Sequence, residues 1–376
     1  MQQNFWARER PLNRRDFLGM LAASALAASA RAGATPPPRD SLRQHAGAKG
    51  IVFGCAAVQH HLAQDEAYAR LVAEQCRLIL PANELKWNML QPKPGEYGFA
   101  SADWMLRFAA DHGLLFRGHA LLWEPSTPEW VRKAATRQNA RQMLTDHIRT
   151  VVSHYKGRMH SWDVVNEIIE PADGRVDMFR SSLWLDQLGA EWVELAFHLA
   201  READPNALLV YNENWLESDR ESSRAKRQRV LALLAEWKRR GVPVQALGLQ
   251  AHLLTDDKVS PELPQFVERV ADLGLRVLVT ELDVRDQNAP AALAMRDRIV
   301  ASKYYEFLSA ALASPAVVAI ITWGLSDRYT WISHHDGSRR ADRLLSRPLP
   351  FDADFEPAPA WQAMARAFDH AAHRNS

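Results

Sequence analysis

The sequence has almost no charge bias: Lys and Arg total 46, Asp and Glu 45, a formal net charge of +1. That balance gives no reason to expect nucleic acid or an anionic membrane surface as a partner. Cysteine is nearly absent. Cys55 and Cys76 alone cannot staple a framework, and a chain of 376 residues has core enough without one. One disulfide is possible in an exported protein, but both residues sit in apolar patterns, which favours two free, buried thiols. No Gly/Ser-rich linker interrupts residues 45–372, and no internal repeat is obvious. No Gly-rich phosphate loop follows the first apolar run, which argues against a dinucleotide fold. The basic cluster RAKRQR (224–229) lies in a helical pattern and reads as a solvated helix face.

The N-terminus carries an address rather than structure. Arg14-Arg15 precede the Ala-rich run LAASALAASARA, which is too short and too weakly apolar to span a bilayer permanently. Twin arginines, a modest apolar stretch and an A-x-A site read as a twin-arginine export signal over residues 1–32. Cleavage is expected after Ala32, with Ala30 as the second candidate. Residues 33–44, with GATPPPRD, are expected to be a flexible leader, and residues 45–376 the folded domain. The protein is therefore expected in the periplasm or outside the cell, without stable membrane association.

What is present is alternation. Short apolar runs, IVFGCAAV (51–58), RLILP (77–81), LFRGHALLW (115–123), HSWDVVN (160–166), LLVYN (208–212), ALGLQ (246–250), RVLVT (276–280) and VVAIITW (317–323), alternate with amphipathic segments. EWVELAFHLAREA (191–203) and RQRVLALLAEWKRR (227–240) carry apolar stripes at helical period, and WQAMARAF (361–368) ends the series. Near-continuous apolar strands between helices indicate a parallel sheet covered by helices, and eight units indicate a single (β/α)8 TIM barrel.

In such a barrel the site sits at the C-terminal ends of the strands. Those ends supply Asn83 and Lys86, His119 and Trp123, Asn166 and Glu167, Tyr211 and Asn212, Gln250 and His252, Glu281 and Asp283, and Trp323. A single strand-end glutamate fits a helix cap or loop carboxylate. Two, on strands four and seven among amides, imidazoles and indoles, suit glycoside hydrolysis: one carboxyl protonates the leaving oxygen while the other attacks or activates water. This chemistry needs no cofactor. His60-His61 and His334-His335-Asp336 lack the i, i+4 spacing of a helical zinc site and read as loop residues, so no metal is expected.

At these residues the sequence resembles glycoside hydrolase family 10, the retaining endo-β-1,4-xylanases. The stretches that carry the resemblance are ELKWNMLQPKPGEYGF (84–99), FRGHALLW (116–123), WDVVNE (162–167), GLQAHL (248–253), VTELDV (279–284), WGLSDRYTW (323–331) and RPLPFDADFEPAPAW (347–361). The resemblance implies Glu167 as general acid/base and Glu281 as nucleophile, with carboxyls roughly 5–5.5 Å apart. It implies Asn166 at the sugar 2-hydroxyl and His252 on the nucleophile. It places Asn83, Lys86, His119, Trp123, Trp323 and Trp331 along the glycone side, with Gln250 in support. Glu281, flanked by hydrogen-bond donors, is expected to keep a low pKa, and Glu167, alternately acid and base, to sit higher than it. Three positions depart from the family pattern: Ala82 stands for a glutamate, Glu124 for a histidine and Ser126 for a glutamine. They are expected to alter the glycone subsite, either by opening room for a decorated sugar or by weakening xylose binding. The expected substrate is a polysaccharide or oligosaccharide and the expected state a monomer. Two alternatives stay open: a β-glycosidase of the same family on another glycan, and a non-catalytic glycan-binding barrel.

Overall fold

The computed structural model describes residues 40–374, so the expected export signal lies outside the described residues. Eight parallel strands form the barrel: β1 (Val52–Ala57), β2 (Leu78–Pro81), β3 (Leu115–Gly118), β4 (Ser161–Asn166), β5 (Leu208–Glu213), β6 (Ala246–Leu249), β7 (Arg276–Arg285) and β8 (Val317–Thr322). Each pairs with the next, and β8 pairs with both β7 and β1, which closes the barrel. Two short strands, Leu122–Trp123 and His252–Leu254, extend it at the mouth against β4 and β7.

Strand alternation sorts the core into two zones. In β1, Phe53, Cys55 and Ala57 face the helices, whereas Ala56 faces inward with Leu78, Leu80 and Ile321. A second interior layer joins Val210, Ala246, Leu278 and Ala319, one from each of β5 to β8. The interior is thus filled by small and branched side chains, as a closed eight-stranded barrel requires. Cys55 and Cys76 are buried and unpaired.

Several elements differ from the sequence reading. The expected leader overlaps a helix, Leu42–Gly47, whose N-cap Ser41 and Gln44 form a reciprocal capping box. His45 Nδ1 of that helix lies 2.7 Å from Asp369 Oδ1 on the last helix, Pro359–His370. The run 115–123 is not one strand; it breaks after Gly118, with a cis peptide between His119 and Ala120. The run beginning at Arg276 continues to Arg285.

The largest difference concerns RAKRQR. Within the helix Glu221–Arg239, Lys226 and Arg227 are buried. Lys226 Nζ pairs with Glu213 Oε1 at 2.8 Å, and Arg227 donates to the carbonyls of Leu216 and Ser218. A helix-period pattern shows which residues share a face, but not which charged one finds a partner inside. The Lys226→Met substitution would leave Glu213 charged and buried, a loss of about 3–5 kcal/mol. Chemical denaturation of the single variant is expected to show this, and Lys226→Met with Glu213→Gln should recover much of it.

Candidate active site

Glu167 follows β4 directly, at φ 56°. A left-handed backbone is uncommon for a residue other than glycine, and it turns the side chain out of strand register. Its Oε2 accepts Trp123 Nε1 at 3.0 Å, and its Oε1 accepts Gln250 Nε2 at 3.0 Å. Arg180 donates to its carbonyl oxygen at 2.6 Å and stands 3.4 Å from Oε2.

Glu281 reaches the mouth through an irregularity. Ile320 of β8 pairs with Val279, but Thr322 pairs with Leu282, so β7 carries one extra residue there. Such a bulge re-aims the side chains that follow. Thr280 bonds Asn212 inside the barrel, while Leu282 and Val284 pack outward. Glu281, Asp283 and Arg285 therefore share the face toward the cleft. Glu281 Oε1 accepts Asn212 Nδ2 at 2.7 Å, and Oε2 lies 3.2 Å from His252 Nε2.

Amide groups link the two carboxylates. Asn166 Oδ1 accepts from Asn212 at 2.9 Å and from Gln250 at 3.1 Å. Its oxygen is thus committed, and its Nδ2 remains as donor. Gly248 makes the linkage possible: a Cβ there would come within 2.2 Å of Asn212 Oδ1. Around the pair, Lys86 Nζ bonds Asn83 Oδ1 at 3.1 Å and lies 5.1 Å from the Trp123 ring centre. Trp323 stands edge-on to His119 with ring centres 5.2 Å apart, and Trp331 to His252 at 5.5 Å. His119 Nδ1 is held by Asp163 at 2.9 Å, and Asp163 by buried Arg117.

A family model described as Glycosyl hydrolase family 10 matches residues 41–367. The chain belongs to this family. It is 34% identical over 302 residues to the beta-1,4-xylanase of Dictyoglomus thermophilum, covering 78% of this chain and 82% of that one. It is 32% identical over 316 residues to endo-1,4-beta-xylanase 3 of Hypocrea jecorina, covering 84% and 82%. Native xylanase 10B of Thermotoga maritima superposes with a TM-score of 0.80 at 31% identity, covering 88% and 98%.

Charge around Glu167 in this family 10 barrel is set by its neighbours as much as by burial. Burial alone would raise the Glu167 carboxyl, but Arg180, the Gln250 and Trp123 hydrogen bonds and Lys226 together hold it below the ordinary range. Burial pushes Lys86 down to about 8 against the pull of Glu281, Glu84 and Glu167. Burial would also lower His252, but Asp283 and Glu281 outweigh it and raise the imidazole to about 9. A folded pKa above the ordinary 6.5 means the charged His252 pairing stabilises fully below that pH. The contribution is lost as pH rises through about 9. NMR of labelled histidine should find the His252 midpoint near 9, and Glu281→Ala should lower it; a midpoint near 6.5 would contradict the pairing.

The three departures are now placed. Ala82 is half-buried and packs, as Trp323 does, against the interior cluster of Ala56, Leu78, Leu80 and Ile321. Ser126 is buried and its hydroxyl donates to the Trp123 carbonyl at 2.9 Å. Glu124 points neither to solvent nor free into the cleft: it is bound by Arg132, and its Oε2 accepts the Leu183 N–H at 3.3 Å. It lines a cleft of about 270 Å³ with Glu167, Arg180 and Trp184. His60 and His61 lie not in a loop, as the sequence suggested, but in the short helix Gln59–Gln64, because the chain after β1 turns at once into helix; there His61 stacks on Tyr329 with ring centres 4.1 Å apart. Among the described residues no group of three metal-type ligands forms.

Arg180 was not found by sequence reasoning. It sits in an irregular loop, where neither period nor strand-end position marks it.

Proposed function

We propose that the chain is a retaining endo-β-1,4-xylanase that works as a monomer, with Glu167 as acid/base and Glu281 as nucleophile. The observation that carries this is the continuous hydrogen-bonded path Glu167–Gln250–Asn166–Asn212–Glu281 at the barrel mouth. It fixes two carboxylates on different strands toward one cleft, and every group in it comes from one chain. The carboxylate without a nearby arginine has amide and imidazole donors on both oxygens, which suits a nucleophile. The other is held by an indole and an amide and sits beside indole walls suited to sugar faces. Relatives named as xylanases support the substrate class. Hydrolysis of linear xylan, decorated xylans, glucans and aryl glycosides, with product analysis, tests the reading. Internal cleavage of β-1,4-xylosyl chains with retained anomeric configuration is expected. Cleavage of glucan alone, or inversion, would refute it.

Glu124 and Ser126 are engaged within the protein, so the glycone side is expected to offer xylose fewer hydrogen bonds. Poor turnover of undecorated xylan relative to decorated polymer is the expected pattern in the same panel.

We also propose export by the twin-arginine route. The support is Arg14-Arg15 ahead of an Ala-rich stretch and the Ala30-Arg31-Ala32 site. Replacing both arginines by lysine should leave uncleaved precursor in the cytoplasm; normal processing of that variant would contradict the proposal. Among the described residues no helix is long and apolar enough to cross a membrane.

A further inference from the structure

Arg285 ends β7 on the same face as Glu281, four residues on, or about 13 Å along a strand. Its guanidinium lies 4.9 Å from the Trp331 ring centre and 5.8 Å from that of Trp215. An arginine stacked on indoles keeps its charge and its planar fork while being partly desolvated. Its Nε is covered and has no hydrogen-bond partner among the described residues. The Nη atoms are the part of the group that meets solvent.

No ion pair among the described residues neutralises this cation, and the nearby carboxylates are committed elsewhere. Asp283 is taken by His252 and Trp331, Asp257 by Arg220 and Ser218, and Asp286 by Arg296. Asp256 accepts from Asn288 at 2.9 Å. Glu217 is buried, and burial pushes its carboxyl up toward the neutral form despite His252 and Lys226. Trp215 is half-buried at φ 55°, a strained backbone for a bulky residue. That conformation sets its indole between Arg285 and Arg220, the latter 5.7 Å from the ring centre. With Glu217, His252 and Lys258 it lines a cleft of about 220 Å³. The region therefore combines an aromatic shelf with an uncompensated, pre-oriented guanidinium, on the strand that carries the proposed nucleophile.

We propose that Arg285, between Trp215 and Trp331, anchors a subsite for a carboxylate on the glycan, that is, for a uronosyl branch of the polysaccharide. The planar fork matches a carboxylate with two parallel N–H···O bonds, and the indoles supply faces for the sugar ring that carries it. This rests on the reading of the chain as a glycan hydrolase and names a further feature of its substrate.

The test separates binding from cleavage. In the Glu281→Ala background, dissociation constants are measured for a uronosyl-branched xylo-oligosaccharide and for the same compound with its carboxyl reduced to the alcohol. The acid is expected to bind about tenfold more tightly, as a charge-assisted bidentate contact implies. Adding Arg285→Gln should remove that difference and leave binding of the reduced compound within about threefold. Equal or undetectable binding of the two compounds with the arginine present overturns the proposal. So does an equal loss for both in Arg285→Gln, which would make the arginine a prop for the indoles. Hydrolysis of carboxyl-reduced polymer by the unaltered protein is the separate check on the parent reading. Failure there, with the binding difference intact, counts against the hydrolase and leaves the anionic subsite standing.

Discussion

Glu281→Ala is expected to abolish hydrolysis of every substrate, by on the order of 10⁶-fold in kcat, as removal of a covalent nucleophile does elsewhere. The loss should not depend on the leaving group. In the proposed double displacement the first step forms a bond from a Glu281 oxygen to the anomeric carbon and breaks the bond to the leaving oxygen. Without that oxygen no glycosyl-enzyme forms. The donors arranged for it, Asn212 at 2.7 Å and His252 at 3.2 Å, then face a gap. A 2-fluoro-glycoside with a good leaving group should label the unaltered protein once, on the peptide containing Glu281, and should not label the variant. Labelling of another residue, or substantial activity in the variant, would remove Glu281 from this role.

Glu167→Ala is expected to divide substrates by leaving group. Xylan, whose leaving sugar needs a proton, should lose about 10²- to 10⁴-fold. A dinitrophenyl xyloside departs without protonation, so formation of its glycosyl-enzyme should be largely spared while hydrolysis of that intermediate slows. Azide attacks without a general base and should restore turnover, giving the β-glycosyl azide. An α-azide would mean inversion. The electrostatics add a pH expectation. Arg180, Gln250, Trp123 and Lys226 hold Glu167 below the usual carboxylate range against the effect of burial. The limb of kcat/KM that reports deprotonation of the free acid should therefore lie at low pH. Arg180→Met should move that limb upward, because the favoured charged form loses its nearest cation. No movement would show that Arg180 acts only on the loop geometry.

Much of the architecture was legible because it depends on local period. Apolar runs such as VVAIITW and LLVYN, separated by amphipathic helices, leave few alternatives to a closed parallel barrel. Once the strands were numbered, Glu167 and Glu281 fell at the C-terminal ends of the fourth and seventh, where barrel chemistry gathers. Asn166, Gln250 and His252 followed by the same logic: the structure sets Gln250 on Glu167 and His252 on Glu281, and Asn166 joins the pair through Gln250 and Asn212.

What stayed hidden depends on partners distant in sequence. RAKRQR reads as a solvated face because charge normally stays in water, and only the approach of Glu213 from β5 makes burial of Lys226 tolerable. Glu167 lies below the usual range despite its burial because Arg180, thirteen residues away in a loop without period, turns back onto it. Arg285 looks like an ordinary strand-end charge until two indoles from different loops close on its faces. The sequence by itself determined the barrel and the two carboxylates, since hydrophobic period and strand-end position are properties of short segments. The charge state of Glu167, and the cation farther along β7 that has no ion-pair partner among the described residues, were decided only by tertiary structure. Coulomb interaction and desolvation depend on separations in space that no local pattern specifies.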